Sequence, residues 1–136
     1  MSGRLFELIL AVKRRCQNTE EQIQAELGLS QAQFQALIVL NDGQEISGCE
    51  FAERMALSPS RGSRVLERLV TDGHVKVLPG PQDRRAIVIS LTPKGRRAKR
   101  RIIDHMEACE RRICDGLDDT RIGQIKRALE LLEAVL

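Results

Sequence analysis

Residues 57–101 read LSPSRGSRVLERLVTDGHVKVLPGPQDRRAIVISLTPKGRRAKRR, and this stretch decides the fold of the chain. Its first part predicts a short helix, because Ser58 is a favourable N-cap and Pro59 suits the first helical position, where a missing N–H costs nothing. Five small or apolar residues fall on one side of that helix at helical spacing and are expected to face a core. They are Gly62, Val65, Leu66, Leu69 and Val70. Asp72 and Gly73 then end the helix.

The other face of the same helix is basic and rich in hydroxyl groups. Arg61, Arg64 and Arg68 recur at i, i+3 and i+7, so they form a stripe, with Ser60 and Ser63 beside it. Arginine can donate two hydrogen bonds to guanine, and serine can pair with several base edges, so this face suits the major groove of duplex DNA. The alternative is that the arginines contact phosphates alone, since the DNA backbone takes more than half of protein–DNA hydrogen bonds.

Two β-branched runs follow this helix. Residues 75–78 and 86–89 flank a segment that contains Pro79, Gly80 and a basic tip, which is typical of a β-hairpin. A further helix is predicted from Thr92 and begins with six cations. They are Lys94, Arg96, Arg97, Lys99, Arg100 and Arg101. This order of elements predicts a winged helix-turn-helix, a mainly α fold with a small β-hairpin.

The hairpin tip and the basic helix extend the predicted contact with DNA. Arg84 and Arg85 are expected to enter the minor groove, where a negative potential attracts arginine. The alternative is that both are solvated charges. Six cations on one helix cannot all face the same side, so about half of them, including Lys94 and Arg97, are expected to reach phosphates. The complete set of DNA-binding candidates is Ser58, Ser60, Arg61, Ser63, Arg64, Arg68, Arg84, Arg85, Lys94 and Arg97.

The same residues resemble the MarR-type transcriptional regulators, and the pattern of elements extends over nearly the whole chain. The resemblance is carried by 57–60, by Leu66, Leu69, Gly73 and Val75 at their spacing, by 83–85 and by 91–95. It implies a single domain over 1–136, in which helices at 1–28 and 102–136 dimerise around a winged-helix DNA-binding part at 29–101. It also implies that Asp83 pairs with a neighbouring arginine and fixes the hairpin tip.

Gly62 departs from the pattern of this family, which more often has an aliphatic residue at that place. A glycine inside a helix costs about 1 kcal/mol relative to alanine. This departure predicts that the helix beginning at Ser58 and Pro59, the recognition helix of the helix-turn-helix, is less rigid than is usual in the family.

The residues before 57 predict the remaining elements of the DNA-binding part. A long helix is expected over 4–27. Capping boxes at 30–33 and 47–50 begin two more helices, and 56–57 is expected to form the tight turn before the recognition helix. Ile46 is expected to supply a short strand.

Both ends of the chain carry apolar helix faces. In the last helix, apolar residues recur at spacings of 3, 4, 3 and 4, a narrow seam that favours packing against another helix. A two-fold dimer would bury both faces at once, whereas the alternative is packing within one monomer. The candidate interface residues are Leu5, Phe6, Ile9, Ile122, Ile125, Leu129 and Leu132. The expected target of such a dimer is a pseudo-palindromic operator with half-sites about one helical turn apart.

The chain has four cysteines, Cys16, Cys49, Cys109 and Cys114. They form no CxxC pair, so a structural zinc site is not expected. One interpretation is that they are small, partly buried thiols. Another is redox sensing by Cys49, since a thiolate is favoured in the first turn of a helix. A third is a metal site, in which His105 and Cys109 share a helix face and act together with a ligand from the first helix, such as Cys16.

Composition narrows the class of protein. The 136 residues carry a net charge of +3, yet residues 54–101 hold 13 Lys and Arg against three Asp and Glu. Such a concentration favours a polyanionic partner, and a merely solvated basic face is the alternative. With three Phe and no Trp or Tyr, stacking on single-stranded nucleic acid is not expected. No nucleophile–base pair, carboxylate pair or metal triad stands out, so we do not expect an enzyme or a cofactor.

The sequence therefore predicts a homodimeric regulator that binds double-stranded DNA, most simply a repressor released by a small-molecule effector, an oxidant or a metal. The alternative is a winged-helix module that binds proteins and not DNA. No targeting segment is apparent, and no apolar run approaches the ~20 residues that span a bilayer. We therefore expect a cytoplasmic protein with reduced thiols and no membrane partner.

Overall fold

The computed structural model describes residues 2–82 and 86–136. Its helices are α1 (Ser2–Leu27), α2 (Gln31–Val39), α3 (Gly48–Arg54), α4 (Pro59–Thr71), α5 (Pro93–Gly116) and α6 (Asp119–Val135). Its strands are β1 (Ile46–Ser47), β2 (Val75–Pro79) and β3 (Ile87–Leu91). The chain divides within α5, after Ile102, into two compact units. The mainly α fold with a small sheet confirms the predicted fold class.

Serine N-caps begin α2, α3 and α4. The Ser30 hydroxyl accepts a hydrogen bond from the Gln33 backbone N–H, and the Gln33 side chain accepts one from the Ser30 N–H, which completes the predicted capping box. At α3 the serine half of the box forms, since the Ser47 hydroxyl accepts from the Glu50 N–H at 3.1 Å. The Glu50 carboxylate instead lies 2.8 Å from the Arg54 guanidinium. Arg54, four positions after Glu50, therefore binds the carboxylate that the sequence pattern predicted as part of the capping box.

The three strands form an antiparallel sheet in the order β1-β3-β2. The predicted strand at 75–78 is one residue longer in the structure. The predicted strand at 86–89 is displaced, because the register pairs Val75 with Leu91 and carries β3 to that residue. Alternate residues of a strand point to the same face, so Ile89 and Leu91 of β3 both face the core. A strand ending at residue 89 would have included only the first of these two buried residues.

The hydrophobic core lies in the first unit and joins all of its elements. The most completely buried large side chains are Ile23, Leu37, Phe51, Leu69, Ile89 and Ile102. They come from α1, α2, α3, α4, β3 and α5, so each of these elements contributes at least one anchor. The apolar back of α4 is thereby fixed against the rest of the unit.

The start of α5 packs directly on the turn that follows α4. A Cβ at Gly95 would lie 1.9 Å from the His74 carbonyl oxygen, so only glycine allows this approach. The Thr92 N–H donates to that same carbonyl at 3.0 Å. The Thr92 hydroxyl donates to the Gly73 carbonyl and accepts from the Gly95 N–H. These contacts tie the end of α4 to the beginning of α5.

His74 itself is buried, with 4% of its surface exposed. Burial lowers the pKa of His74 below its ordinary value of 6.5, and the positive charge of Lys94 lowers it further, while Asp72 opposes the shift. The Nδ1 atom has no hydrogen-bond partner among the described residues. The folded protein therefore favours the neutral imidazole.

Within the part of the chain that the structure describes, each helix is too short or too polar to cross a lipid bilayer.

Gly95→Ala should destabilise the fold by about 3 kcal/mol or more, because the new methyl group collides with a backbone carbonyl that cannot move aside. Urea unfolding measures the loss. Gly116→Ala, in the last turn of the same helix with open space around it, is the matched control and should be neutral or slightly stabilising. Equal effects of the two substitutions would contradict the close approach of α5 to His74.

The buried His74 predicts a pH dependence of stability. Below pH 6.5 the unfolded chain takes up a proton at this residue more readily than the folded chain, so the free energy of unfolding falls as the pH is lowered through that window. His74→Gln should reduce this loss when urea unfolding at pH 7.5 is compared with pH 5.5. An unchanged loss in the variant would show that His74 stays as easily protonated in the fold as in the unfolded chain.

Candidate nucleic-acid interface

The turn between α3 and α4 sets the position where α4 begins. Ala56 takes a left-handed backbone conformation with φ of 54°, and the Leu57 N–H donates to the Ala52 carbonyl at 3.0 Å. The Ser58 hydroxyl then accepts from the Arg61 N–H at 3.3 Å, and proline occupies the first turn. The predicted tight turn and N-cap are confirmed, and together they give the helix-turn-helix its bend.

Gly62 brings α4 unusually close to α3. A Cβ at this position would lie 3.0 Å from the Ala52 Cβ, tighter than ordinary van der Waals contact. The aliphatic residue that the sequence pattern leads one to expect would push the two helices apart. The glycine thus exchanges helix propensity for close packing, and the predicted loss of rigidity stays a prediction.

The front of α4 is exposed and basic. The side chains of Ser58, Ser60, Arg61, Ser63, Arg64 and Arg68 are all exposed. Within residues 2–82 and 86–136, no carboxylate lies within 4.0 Å of the guanidinium groups of Arg61, Arg64 and Arg68. The stripe is therefore available to an anionic partner, and the structure brings these six predicted residues together on one element.

The other end of α4 is anchored by two side chains that sequence reasoning did not place there. The Gln33 amide donates from Nε2 to Asp72 Oδ2 at 2.6 Å. The Lys94 ammonium donates to the Asp72 carbonyl at 2.7 Å. Lys94 was predicted to contact DNA, and the structure gives it a role at the helix end. The predicted capping box accounts for the hydrogen bond between the Gln33 side-chain oxygen and the Ser30 N–H. The sequence pattern does not predict Asp72 as the second partner of this side chain.

Lys99 also serves the fold. Its ammonium donates to the carbonyl oxygens of Leu37 and Ile38, at 3.0 Å each, and to that of Leu40, so it caps the C-terminal end of α2. Burial lowers the pKa of Lys99, and the negative charge of Asp42 opposes the shift. This lysine is therefore committed to backbone carbonyls and is not directed at phosphates.

The other cations of α5 divide between structure and solvent. Two form ion pairs: Arg96 with Asp42 at 3.7 Å, and Arg101 with Glu26. Arg97 and Arg100 are exposed and have no ion pair among the described residues. The prediction that about half of this group reaches phosphates stays a prediction.

The hairpin between β2 and β3 closes above the sheet. The Gly80 N–H donates to the Ala86 carbonyl at 2.7 Å. The predicted wing-tip residues Asp83, Arg84 and Arg85 lie outside the described residues, so their roles stay predictions.

The terminal helices expose the apolar residues predicted to form a dimer. In α1, Leu5 and Phe6 are 60% and 61% exposed. In α6, Ile125 and Leu129 are also exposed, and no residue of 103–136 is buried. The remaining candidates, Ile9, Ile122 and Leu132, are half-buried. These faces lack the cover that apolar side chains normally receive.

The four cysteines are free thiols, and redox sensing by Cys49 stays a prediction. Cys16, Cys49 and Cys114 are exposed, so the interpretation as partly buried thiols fits Cys109 and is wrong for these three. The Cys109 sulfur accepts from Arg112 Nη2 at 3.1 Å. Nε2 of the nearby His105 is buried and has no hydrogen-bond partner in the described part of the chain. Among the described residues, no three His, Cys, Asp or Glu side chains converge as metal ligands, so the metal interpretation gains no support.

Comparison with known proteins shows which family this chain resembles. The sequence model of the MarR family matches residues 27–86, which run from the end of α1 to the wing. The chain is 30% identical to the HTH-type transcriptional regulator YfiV of Bacillus subtilis over 79% of its own length, and 30% identical to the multiple antibiotic resistance protein MarR of Escherichia coli over 68%. These matches make the chain similar to the MarR family.

These alignments span 58% and 62% of the length of the two relatives, less than two thirds of each. The fold extends further than the sequence likeness. A crystal structure of a mutant E. coli MarR complexed with operator DNA matches 95% of this chain and 93% of its own, with a TM-score of 0.76 and 22% identity. The likeness at that identity shows the MarR winged-helix fold for nearly the whole chain.

Proposed function

We propose that this protein is a MarR-family transcriptional regulator that binds a pseudo-palindromic operator in double-stranded DNA as a homodimer. The observation that carries the proposal is the exposed stripe of Arg61, Arg64 and Arg68 on a helix whose back is fixed in the core. The operator DNA in the solved complex of E. coli MarR supports the same class of partner.

The dimensions of the stripe suit the major groove. From Arg61 to Arg68 the helix rises about 10 Å. The same length of duplex contains about three base pairs. Arginines at both ends and in the middle of that length can each reach a guanine or a flanking phosphate. Ser60 and Ser63 lie beside them as shorter donors and acceptors.

The dimer follows from the uncovered apolar faces of α1 and α6. Contact with a second copy would remove exposed side chains such as Phe6 and Leu129 from water, and this burial lowers the free energy of the dimer. A two-fold axis also presents two copies of α4 to the same side of a duplex, about 34 Å apart, in successive major grooves. The segments 1–28 and 102–136 would then serve dimerisation, and 29–101 would bind DNA.

We further propose that the protein represses transcription and that a small-molecule effector releases it. Release requires the effector to bind the DNA-incompetent arrangement more tightly than the DNA-bound one, since equal binding shifts nothing. A small change in the separation of the two recognition helices would mismatch the half-sites. Repression by steric occupation of the operator needs nothing further from the protein.

Selection of bound sites from random duplexes, followed by gel shift at two salt concentrations, tests this function. The proposal expects inverted half-sites with centres about 10 base pairs apart. It also expects binding that weakens steeply with salt, because each neutralised phosphate releases counterions. Failure to enrich any duplex at low salt would contradict DNA binding and favour the protein-interaction module.

Arg64→Ala should flatten the sequence preference in this selection as well as weaken binding, because a bidentate contact to guanine is worth about 1–3 kcal/mol of discrimination. Arg14→Ala, which removes an exposed arginine from α1, is the control and should leave the preference unchanged. If Arg64→Ala lowers affinity evenly for all sequences, Arg64 contacts phosphate.

Leu129→Asp should convert the dimer into monomers, because it places a charge in the apolar seam of α6. Sedimentation equilibrium measures the change, and circular dichroism checks that the helices remain. Glu130→Ala, at the next position of the same helix, is the control and should stay dimeric. A dimer that persists in Leu129→Asp at low micromolar concentration would locate the interface elsewhere.

A further inference from the structure

We propose that Gln33 and Asp72 are positioning residues for DNA recognition, and that the hydrogen bond between them sets the tilt of α4 and thereby the half-site spacing that the protein selects. The inference rests on the proposed DNA-binding function and deepens it. Neither side chain lies in the exposed stripe of α4, so neither is proposed to touch DNA.

The bond joins two elements that are distant in sequence. Gln33 is 2% exposed and is committed at both ends of its amide: its oxygen accepts from the Ser30 N–H at 2.9 Å, and its Nε2 donates to Asp72 at 2.6 Å. The oxygen half fixes the rotamer of the side chain through the capping box. The remaining donor therefore points in a defined direction, and the end of α4 is held where that donor points.

The position of Asp72 is not explained by helix propensity. A carboxylate at the C-terminal end of a helix faces the negative end of the helix dipole and is unfavourable there. Its hydrogen bond from Gln33 and the Lys94 ammonium on its own carbonyl offset this cost. A residue that is locally unfavourable and bonded across the fold is expected where the tertiary contact matters.

The geometry makes α4 a short lever with two supports. Near its start it rests on α3 through Gly62 and Ala52. At its end Asp72 is held by the Gln33 amide and the Lys94 ammonium, and Leu69 is buried in the core between the two supports. Ten residues separate Gly62 from Asp72, so the supports are about 15 Å apart. A shift of about 1 Å at the far support turns the helix axis by roughly 4° over that length. Arg68 lies near the far support and would move the most.

The same support also connects α2 to the stripe. Ser30 and Gln33 at the start of α2 line one shallow groove together with Arg64 and Arg68. A displacement of α2 would therefore move the side chains of Ser30 and Gln33 against those of the two arginines, which line the same groove.

A reversal of the hydrogen bond tests the proposal. Gln33→Glu keeps the capping box but sets a second carboxylate against Asp72, and Asp72→Asn restores a donor opposite that carboxylate. Gln33→Glu should lose about tenfold or more in affinity for the duplex that the parent prefers, because it sets two negative charges against each other in a partly buried site. Its selected duplexes should also spread over several half-site spacings. The double variant Gln33→Glu/Asp72→Asn should regain most of the affinity and the parent spacing.

Controls separate positioning from stability. Ile23→Val destabilises the core from α1 and changes neither partner of the hydrogen bond between Gln33 and Asp72. It should bind the parent duplex unchanged at a temperature where it is fully folded. Should Gln33→Glu fail to fold, Asp72→Ala removes the acceptor and leaves the capping box, and it should show the same spread of spacings.

The outcomes distinguish the two levels of the proposal. If the parent protein selects no duplex, the proposed function fails and this inference fails with it. If the parent selects duplexes and the folded Gln33→Glu and Asp72→Ala variants select the same spacing with equal affinity, the inference alone is overturned. It is also overturned if the double variant folds like the parent and regains neither affinity nor spacing.

Discussion

The arrangement of α4 depends on how tightly its two ends are held. At the start, the missing side chain of Gly62 lets the helix approach Ala52, and at the end a buried amide reaches Asp72. Close packing and a buried hydrogen bond both restrict the position of the helix, because a misplaced methyl group or an unpaired polar atom destabilises the folded state. A helix held in this way presents its outer face with little freedom, which is what recognition of a rigid duplex requires.

The cations of the chain divide into two classes that composition alone cannot separate. Lys94 and Lys99 donate to carbonyl oxygens at helix ends, where backbone acceptors lack partners inside the helix. The side chains of Arg61, Arg64 and Arg68 are exposed, and within 2–82 and 86–136 they form no ion pair. Lysine, with three donors on a compact ammonium, suits the first task, and the planar fork of arginine suits base edges and phosphates. The proposed DNA contact therefore concentrates on α4, with Arg97, Arg100 and the wing at its margins.

The two compact units differ in how they satisfy their apolar residues. The first unit buries a core drawn from five helices and a sheet, whereas residues 103–136 bury none of theirs. In the proposed dimer, the second unit gains its cover from another copy, so the stability of these helices depends on protomer concentration. The same association fixes the distance between two DNA-binding surfaces. Dimer stability and operator spacing would then be consequences of one interface.

The sequence alone determined the elements that depend on short-range chemistry. The Ser30 and Ser58 caps, the stop at Gly73 and the arginine stripe of α4 involve residues within about one or two helical turns, so their spacing along the chain already contains the interaction. For the same reason the residues that carry the family resemblance could be read in order, and the winged-helix fold followed from them.

Only the tertiary structure decided which side chains serve the fold. The carbonyl acceptors of Lys99 lie about 60 residues earlier in the chain, and the partner of Gln33 lies 39 residues later. The need for glycine at Gly95 comes from a carbonyl on another element, and the extent of β3 comes from its register with β2. Each of these features depends on packing between distant segments. The identity of a charged residue or a glycine does not by itself show whether it contacts solvent, a helix end or DNA.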